Sequence, residues 1–133
     1  MTLHAIQLYN LLIYSSGNTA TSLPHPLPVD LVELIARRFR ALGEPMRIRL
    51  LDRLRDGEAT VGELSDALSA SQQNVSKHLA VLGEVGILGR RKHGNHVYYR
   101  IADEGVLALC EDVCGSVEAQ LRALGDLANA ARG

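Results

Sequence analysis

The chain has 133 residues, the length of one globular domain with room for a short extension. Its formal net charge of −1 gives the chain as a whole no signal for nucleic-acid binding. It has no apolar run of about 18 residues, and its apolar start lacks a basic segment, so neither a membrane span nor a secretory signal is expected. Two cysteines four positions apart do not form a disulfide framework, and a reducing cytoplasm is the simplest compartment.

The positive charge is concentrated in one segment, residues 68–100. This segment has five Lys or Arg against one acidic residue, Glu84, which gives a local charge of +4 and leaves −5 on the rest of the chain. Such a cluster is typical of a surface that binds nucleic acid. A solvated basic hairpin without a ligand would have the same composition.

The N-terminal part of the chain is predicted to be an extension of the folded domain. Residues 15–28 are rich in Ser, Thr, Gly and Pro, a composition typical of a linker. The apolar residues before them fit a short helix or a poorly ordered tail, so the role of residues 1–28 is left open. One folded domain is expected over residues 29–131.

Four helices are predicted in the first part of this domain. They cover residues 30–42, 46–54, 61–68 and 72–85. Pro45 suits the first turn of the second helix. Thr60 and Glu63 form a capping box at the third helix, and Ser71 caps the fourth. The inward face of the fourth helix is predicted to be Val75, Leu79, Leu82 and Val85.

A hairpin and a long helix follow. Strands 88–93 and 96–101 are joined by Gly94-Asn95, two residue types that tolerate positive φ. The last helix starts at its N-cap, Asp103, and runs to about residue 130. Its apolar stripe is longer than a domain of this size needs, which favours a two-fold homodimer. The predicted fold is mainly α with a small β-hairpin: a winged helix-turn-helix with a two-stranded wing and a long C-terminal helix.

The predicted helix 72–85 carries side chains that suit the DNA major groove. Three amides occupy its first turn, and Gln or Asn can pair bidentately with adenine, a contact worth about 1–3 kcal/mol of discrimination. The serine, lysine and histidine of the next turn suit phosphates. The candidate DNA-contacting residues here are Ser71, Gln72, Gln73, Asn74, Ser76, Lys77 and His78. The alternative is a solvated helix face.

The hairpin beside this helix adds a second basic surface. A run of four residues suits the phosphates next to the groove: Arg90, Arg91, Lys92 and His93. His78 and His93 could each ligate a metal, but their basic neighbours favour contact with DNA backbone or solvent. The expected partner is therefore double-stranded DNA.

The whole pattern resembles the ArsR/SmtB family of bacterial transcriptional repressors over roughly residues 30–128. Four segments carry the resemblance in this order and spacing: residues 39–51, 61–68, 75–82 and 86–99. It implies a winged-helix homodimer, paired through its first and last helices, that binds an imperfect palindrome. It also implies release from DNA when a metal or another inducer binds.

The metal sites of that family are matched only in part. The thiolate site on the third helix falls on residues 60–63, which contain no cysteine. In the site on the last helix Asp103 matches a ligand position, whereas Gly105, Ser116 and Ala119 stand at the other positions.

Cys110 and Cys114 are the remaining candidates for an inducer site. One turn apart on a helix, their Cβ atoms would lie about 5–6 Å from each other. This is too far for an unstrained disulfide, but it lets two sulfurs converge on one soft ion. Three interpretations stay open: a thiophilic inducer such as arsenite, an organoarsenical or cadmium; a redox or reactive-sulfur switch; or two small buried side chains. A tetrahedral metal would need two more ligands, for example from a partner subunit.

Two other function classes are alternatives to DNA binding. A winged helix can serve protein–protein interaction alone, but the basic helix and hairpin favour DNA. An enzyme is not expected, because the sequence offers no nucleophile–base pairing, no phosphate-binding loop and no pair of catalytic carboxylates.

Overall fold

The computed structural model describes residues 23–132, so most of the predicted N-terminal extension lies outside the described residues. The chain divides into two compact units, with the boundary between Arg40 and Ala41. The elements in chain order are α1 (Val29–Leu42), α2 (Pro45–Leu54), β1 (Ala59–Thr60), α3 (Val61–Leu68), α4 (Gln72–Glu84), β2 (Leu88–His93), β3 (His96–Ile101) and α5 (Glu104–Arg132). The predicted order of helices and strands is confirmed, and the predicted ends lie within two residues of those observed.

The wing contains one strand more than predicted. β2 and β3 form the expected antiparallel hairpin, with Leu88 opposite Ile101 and a positive φ of 61° at Gly94 in its turn. Ala59–Thr60 pairs with the other side of β3, so the sheet has three strands in the order β1-β3-β2. The predicted two-stranded hairpin is confirmed, and the sheet to which it belongs has a third strand that was not predicted. Two residues are too few to show the alternation by which a strand is recognised in a sequence.

Side chains cap the helices where the sequence indicated. Thr60 Oγ1 accepts a hydrogen bond from the backbone N–H of Glu63, and Ser71 Oγ accepts one from the backbone N–H of Asn74. Asp103 Oδ1 accepts from the N–H of the second residue of α5, at 3.0 Å. The capping carboxylate of Glu44 at the start of α2 was not predicted. Each such cap contributes about 1 kcal/mol.

The core of the second unit lies among α2, α3, α4 and the start of the wing. Its largest fully buried side chains are Leu50, Leu64, Val75, Leu79, Leu82 and Ile87. Full burial of one Leu or Ile contributes about 1.5–3 kcal/mol. Val75, Leu79 and Leu82 confirm most of the predicted inward face of α4, and Val85 is half-buried. One side of α4 is therefore fixed by the core and the other side faces solvent.

The long helix α5 joins this core only through its first turns. Val106 is buried, and Leu109 and Cys110 pack half-buried against the core. Residues 111–132 are all exposed. They include an apolar stripe with 48% to 67% of each residue exposed: Val113, Val117, Leu121, Leu124 and Leu127. Within the described residues, no helix is long and apolar enough to cross a membrane.

Candidate nucleic-acid interface

The exposed side of α4 presents most of the polar residues that the sequence singled out. The exposed residues at its start are Ser71, Gln72, Gln73, Asn74, Ser76 and Lys77. The Ser71 cap and the buried Val75 fix the first turn, so the amides are displayed from an ordered helix end. A helix end of this kind, with hydrogen-bonding side chains directed outward, can enter a major groove.

Gln72 differs from the other two amides in its surroundings. Its side chain lies over the first turn of α3, where Nε2 comes within 3.8 Å of the position that a Cβ on Gly62 would occupy. Gln73 and Asn74 are exposed on the same turn of α4. The three amides are therefore not equivalent, and the first of them also packs against the neighbouring helix.

Strand alternation divides the basic residues of the wing between two faces. Arg90 pairs with Tyr99 and Lys92 pairs with Val97, on the face that begins with the buried Leu88. The opposite face carries Arg91 opposite Tyr98, Gly89 opposite Arg100, and His93 opposite His96. All four basic residues of the predicted run are exposed, but the sheet does not direct them to one side.

Arg91 is held by a carboxylate of the protein. Its Nε lies 2.8 Å from Glu58 Oε2, and its Nη2 bonds to the other carboxylate oxygen. The guanidinium carbon also lies 4.8 Å from the centre of the Tyr98 ring. These hydrogen bonds hold the pKa of the Glu58 carboxyl below its ordinary value and raise the pKa of Arg91. Glu58 was missed in the sequence because 32 residues separate it from its partner.

The guanidinium of Arg100, a residue without a site signal in the sequence, lies over Gly89 of the wing. A Cβ on Gly89 would come within 3.0 Å of its guanidinium carbon. The missing side chain at Gly89 therefore leaves the space that this guanidinium occupies. Arg100 adds a third basic group to the face of the wing that carries Arg91 and His93.

His78 is 8% exposed, on the side of α4 that faces the core. Its Nδ1 lies 3.1 Å from Arg47 Nη1 and 3.6 Å from Glu44 Oε2. The structure thus places it against α2 and not among the exposed residues of α4. These two partners had no functional signal in the sequence. Arg47 was predicted to lie within the second helix, and Glu44 in the break that precedes it.

The two cysteines have unequal surroundings on α5. Cys110 is half-buried against the core, and burial raises the pKa of its thiol. Cys114 is exposed, with Sγ 3.9 Å from Glu118 Oε1. Both thiols are free, and residues 23–132 contain no group of three or more His, Cys, Asp or Glu that could hold a metal ion. One protomer thus offers two sulfurs but no complete metal site in its described part.

Comparison with known proteins gives a consistent result. The helix-turn-helix domain family HTH_20 matches residues 42–91. The chain is 35% identical over 99 residues to the transcriptional regulator KmtR of Mycobacterium tuberculosis, covering 74% of this chain and 76% of that protein. It is also 35% identical over 100 residues to a probable mercury resistance operon repressor of Streptomyces lividans, covering 71% and 78%.

A solved structure shows the same fold. The solution structure of a homodimeric winged helix-turn-helix DNA-binding domain from Mycobacterium bovis, a possible ArsR-family regulator, superposes with a TM-score of 0.65. The two chains are 28% identical, and the match covers 74% of this chain and 91% of that one. These similar proteins are transcriptional regulators, in agreement with the expectation of a DNA-binding protein and not an enzyme.

Proposed function

The chain belongs to the ArsR/SmtB family of winged helix-turn-helix transcriptional regulators, and we propose that it is a homodimeric repressor that binds a palindromic operator. An inducer that acts near the dimer helices would release it. A protein that binds chromosomal operators works where the chromosome is, so the proposal includes a cytoplasmic location.

One observation carries this proposal: the two-sided character of α4. Its inner side is fixed by the core through Val75, Leu79 and Leu82, whereas its outer side displays amides, hydroxyls and a lysine. A basic hairpin follows directly along the chain. A rigid helix that presents donors and acceptors beside a cationic hairpin is suited to base edges and the adjacent phosphates.

The contacts can be assigned by exposure and by existing partners. Gln73 and Asn74 would contact base edges, and Gln72 would contact DNA while packed against α3. Hydroxyl, ammonium, guanidinium and imidazole groups would bind phosphates on either side of the groove: Ser71, Ser76, Lys77, Arg90, Lys92 and His93. Arg91 and His78 already have partners within the protein, and the proposal gives them other roles.

Dimerisation is supported by the exposed apolar stripe of α5. Five aliphatic side chains at helical spacing, from Val113 to Leu127, are each about half or more exposed. An apolar surface of this kind is covered in a stable soluble protein, and a two-fold axis would pair the stripe with its copy. Val32 and Phe39 of α1 are also exposed, as expected if that helix takes part. The two α4 helices would then lie one DNA turn apart, roughly 34–36 Å.

The proposed inducer is a thiophilic ion at Cys110 and Cys114. Arsenite, as As(OH)₃, would exchange two hydroxyls for the two sulfurs and release two waters. Cadmium would need further ligands, which Glu118 or a second protomer could supply. The helix that carries the pair is also the proposed dimer helix, so a ligand there would change how the protomers meet. The thiolate of Cys114 would attack an oxidant or a reactive sulfur species first, because its side chain is the more exposed of the two.

Selection from a random duplex library tests the proposed function. The full chain is mixed with a random-sequence duplex pool, and the bound DNA is recovered and sequenced. We expect an inverted repeat with half-sites centred about 10–10.5 base pairs apart, called the selected duplex below. Its affinity should fall steeply with salt, because phosphate contacts release counterions. Failure to enrich any sequence would refute the proposed function.

A further inference from the structure

His78 is the one polar or charged residue that is buried within residues 23–132. Burying a polar ring costs free energy unless its nitrogens are hydrogen-bonded. Its hydrogen-bonding partner, Arg47, belongs to another helix and lies 31 positions away in the chain. A polar contact between helices in an otherwise aliphatic core needs a reason beyond packing.

Arg47 joins three parts of the second unit. Its backbone N–H donates to the capping carboxylate of Glu44 at 3.0 Å, and its Nε donates to the carbonyl oxygen of Ala41 at 2.5 Å. Its Nη1 then lies 3.1 Å from Nδ1 of His78. An arginine has only donors, so Nδ1 is the acceptor in this hydrogen bond. The end of α1, the start of α2 and the middle of α4 thus meet at one guanidinium.

This arrangement fixes a direction as well as a distance. The guanidinium is planar and rigid, so its bond to Ala41 determines where Nη1 points and hence where Nδ1 must lie. Aliphatic packing is non-directional and tolerates a small rotation of α4 about its axis. Asn74 lies one turn before His78 on the same helix, so a rotation of α4 that broke this bond would also move the amide.

We propose that Glu44, Arg47 and His78 are positioning residues that set the rotation of α4 and thereby determine sequence discrimination. The inference rests on the proposed DNA-binding function and deepens it. His78 acts from inside the protein, through α4, and does not contact phosphate. Its loss should therefore weaken binding to a chosen sequence and leave binding to arbitrary DNA unchanged.

Two substitutions at one position separate positioning from burial. His78→Leu keeps the bulk and removes the acceptor, whereas His78→Asn places an oxygen near the position of Nδ1. The affinity for the selected duplex and for a random duplex of equal length is measured by fluorescence anisotropy, and thermal unfolding is followed in parallel. We expect His78→Leu to lower the affinity for the selected duplex about tenfold and to leave the affinity for the random duplex unchanged. The affinity of His78→Asn for the selected duplex should stay within about threefold of wild type.

A change at the partner provides an independent test. Arg47→Lys keeps the charge but cannot bond to Ala41 and His78 with one rigid group. Arg47→Lys should lower the affinity for the selected duplex and leave the affinity for the random duplex unchanged. The double variant with His78→Leu should bind the selected duplex as tightly as either single variant. If His78→Leu does not fold, the affinities of Arg47→Lys for the two duplexes test the inference by themselves, and affinities equal to those of wild type would overturn it.

Three results would overturn the inference: an unchanged affinity of His78→Leu for the selected duplex, equal losses on both duplexes, or an equal loss for His78→Asn. If wild type enriches no sequence, it is the DNA-binding proposal that fails. If wild type enriches a sequence and the variants behave as wild type, it is the positioning role that fails.

Discussion

At the scale of single residues, burial separates the polar side chains of α4 into two groups. Gln73, Asn74 and Lys77 are exposed and available to a ligand, whereas His78 is enclosed and bonded to α2. All four side chains are polar, and all four lie within six consecutive positions of the chain. Their roles therefore follow from whether the fold buries or exposes each side chain and not from composition.

Base contacts and phosphate contacts should respond differently to substitution. Gln73→Ala removes an amide that we assign to a base edge, so affinity should fall by about tenfold on the selected duplex and hardly at all on random DNA. Lys77→Ala should weaken both and reduce the slope of log K against log salt by about one. Both are measured by salt titration of anisotropy. Equal losses of Gln73→Ala on the two duplexes would remove the base-contact assignment.

At the scale of elements, much of the fold could be predicted from the sequence. The caps at Thr60 and Ser71 act within three residues, and strand alternation is equally local, so the sequence displays both. Strand β1 was not predicted, because it has two residues and forms only by pairing with β3. The roles of Glu58 and Arg47 were not predicted either, because their partners lie 33 and 31 positions away in the chain and only the fold brings them together.

The wing offers a test of how Arg91 is used. Because Glu58 and the Tyr98 ring hold Arg91, Arg91→Ala should leave the salt slope nearly unchanged, whereas Lys92→Ala should lower it by about one. The ion pair with Arg91 lowers the pKa of the Glu58 carboxyl below its ordinary value. The carboxylate is therefore charged at every pH above that ordinary value, and the pair is lost only as the pH falls through the lowered pKa. The expected difference between the two variants should therefore persist throughout the neutral pH range.

Equal slopes for the two wing variants would contradict this. They would mean that Arg91 leaves Glu58 for a DNA phosphate. Glu58→Gln is the matched control, because it frees Arg91 without removing it. It should raise the affinity for random DNA and steepen the salt slope.

At the scale of the whole molecule, α5 connects the proposed inducer site with the proposed dimer surface. Cys110 sits where α5 leaves the core, and Cys114 one turn later at the start of the exposed stripe. A ligand that joined the two sulfurs would act at this junction. For near-complete release it must bind the DNA-incompetent state about 10⁴-fold more tightly than the other state.

Removal of either thiol should separate DNA binding from release. Cys110→Ser and Cys114→Ser should each keep the affinity for the selected duplex but lose its release by the inducer. The assay is anisotropy of the labelled selected duplex, with arsenite, cadmium, zinc, peroxide and polysulfide added in turn. Release of wild type by peroxide or polysulfide alone would favour the redox switch. If the double Ser variant is released as wild type is, the cysteines only pack.

The exposed stripe of α5 gives the most direct test of a homodimer that reads DNA. Val117→Asp puts a charge in the middle of the stripe, and Ala119→Asp puts the same charge on the other side of the helix. The measurement is sedimentation of both variants and of wild type at micromolar concentration without DNA, followed by titration of the selected duplex. We predict a dimer for wild type and Ala119→Asp, and a monomer that has lost the selected duplex for Val117→Asp. A monomeric wild type, or a monomeric Val117→Asp that binds the selected duplex as tightly as wild type, would contradict the account.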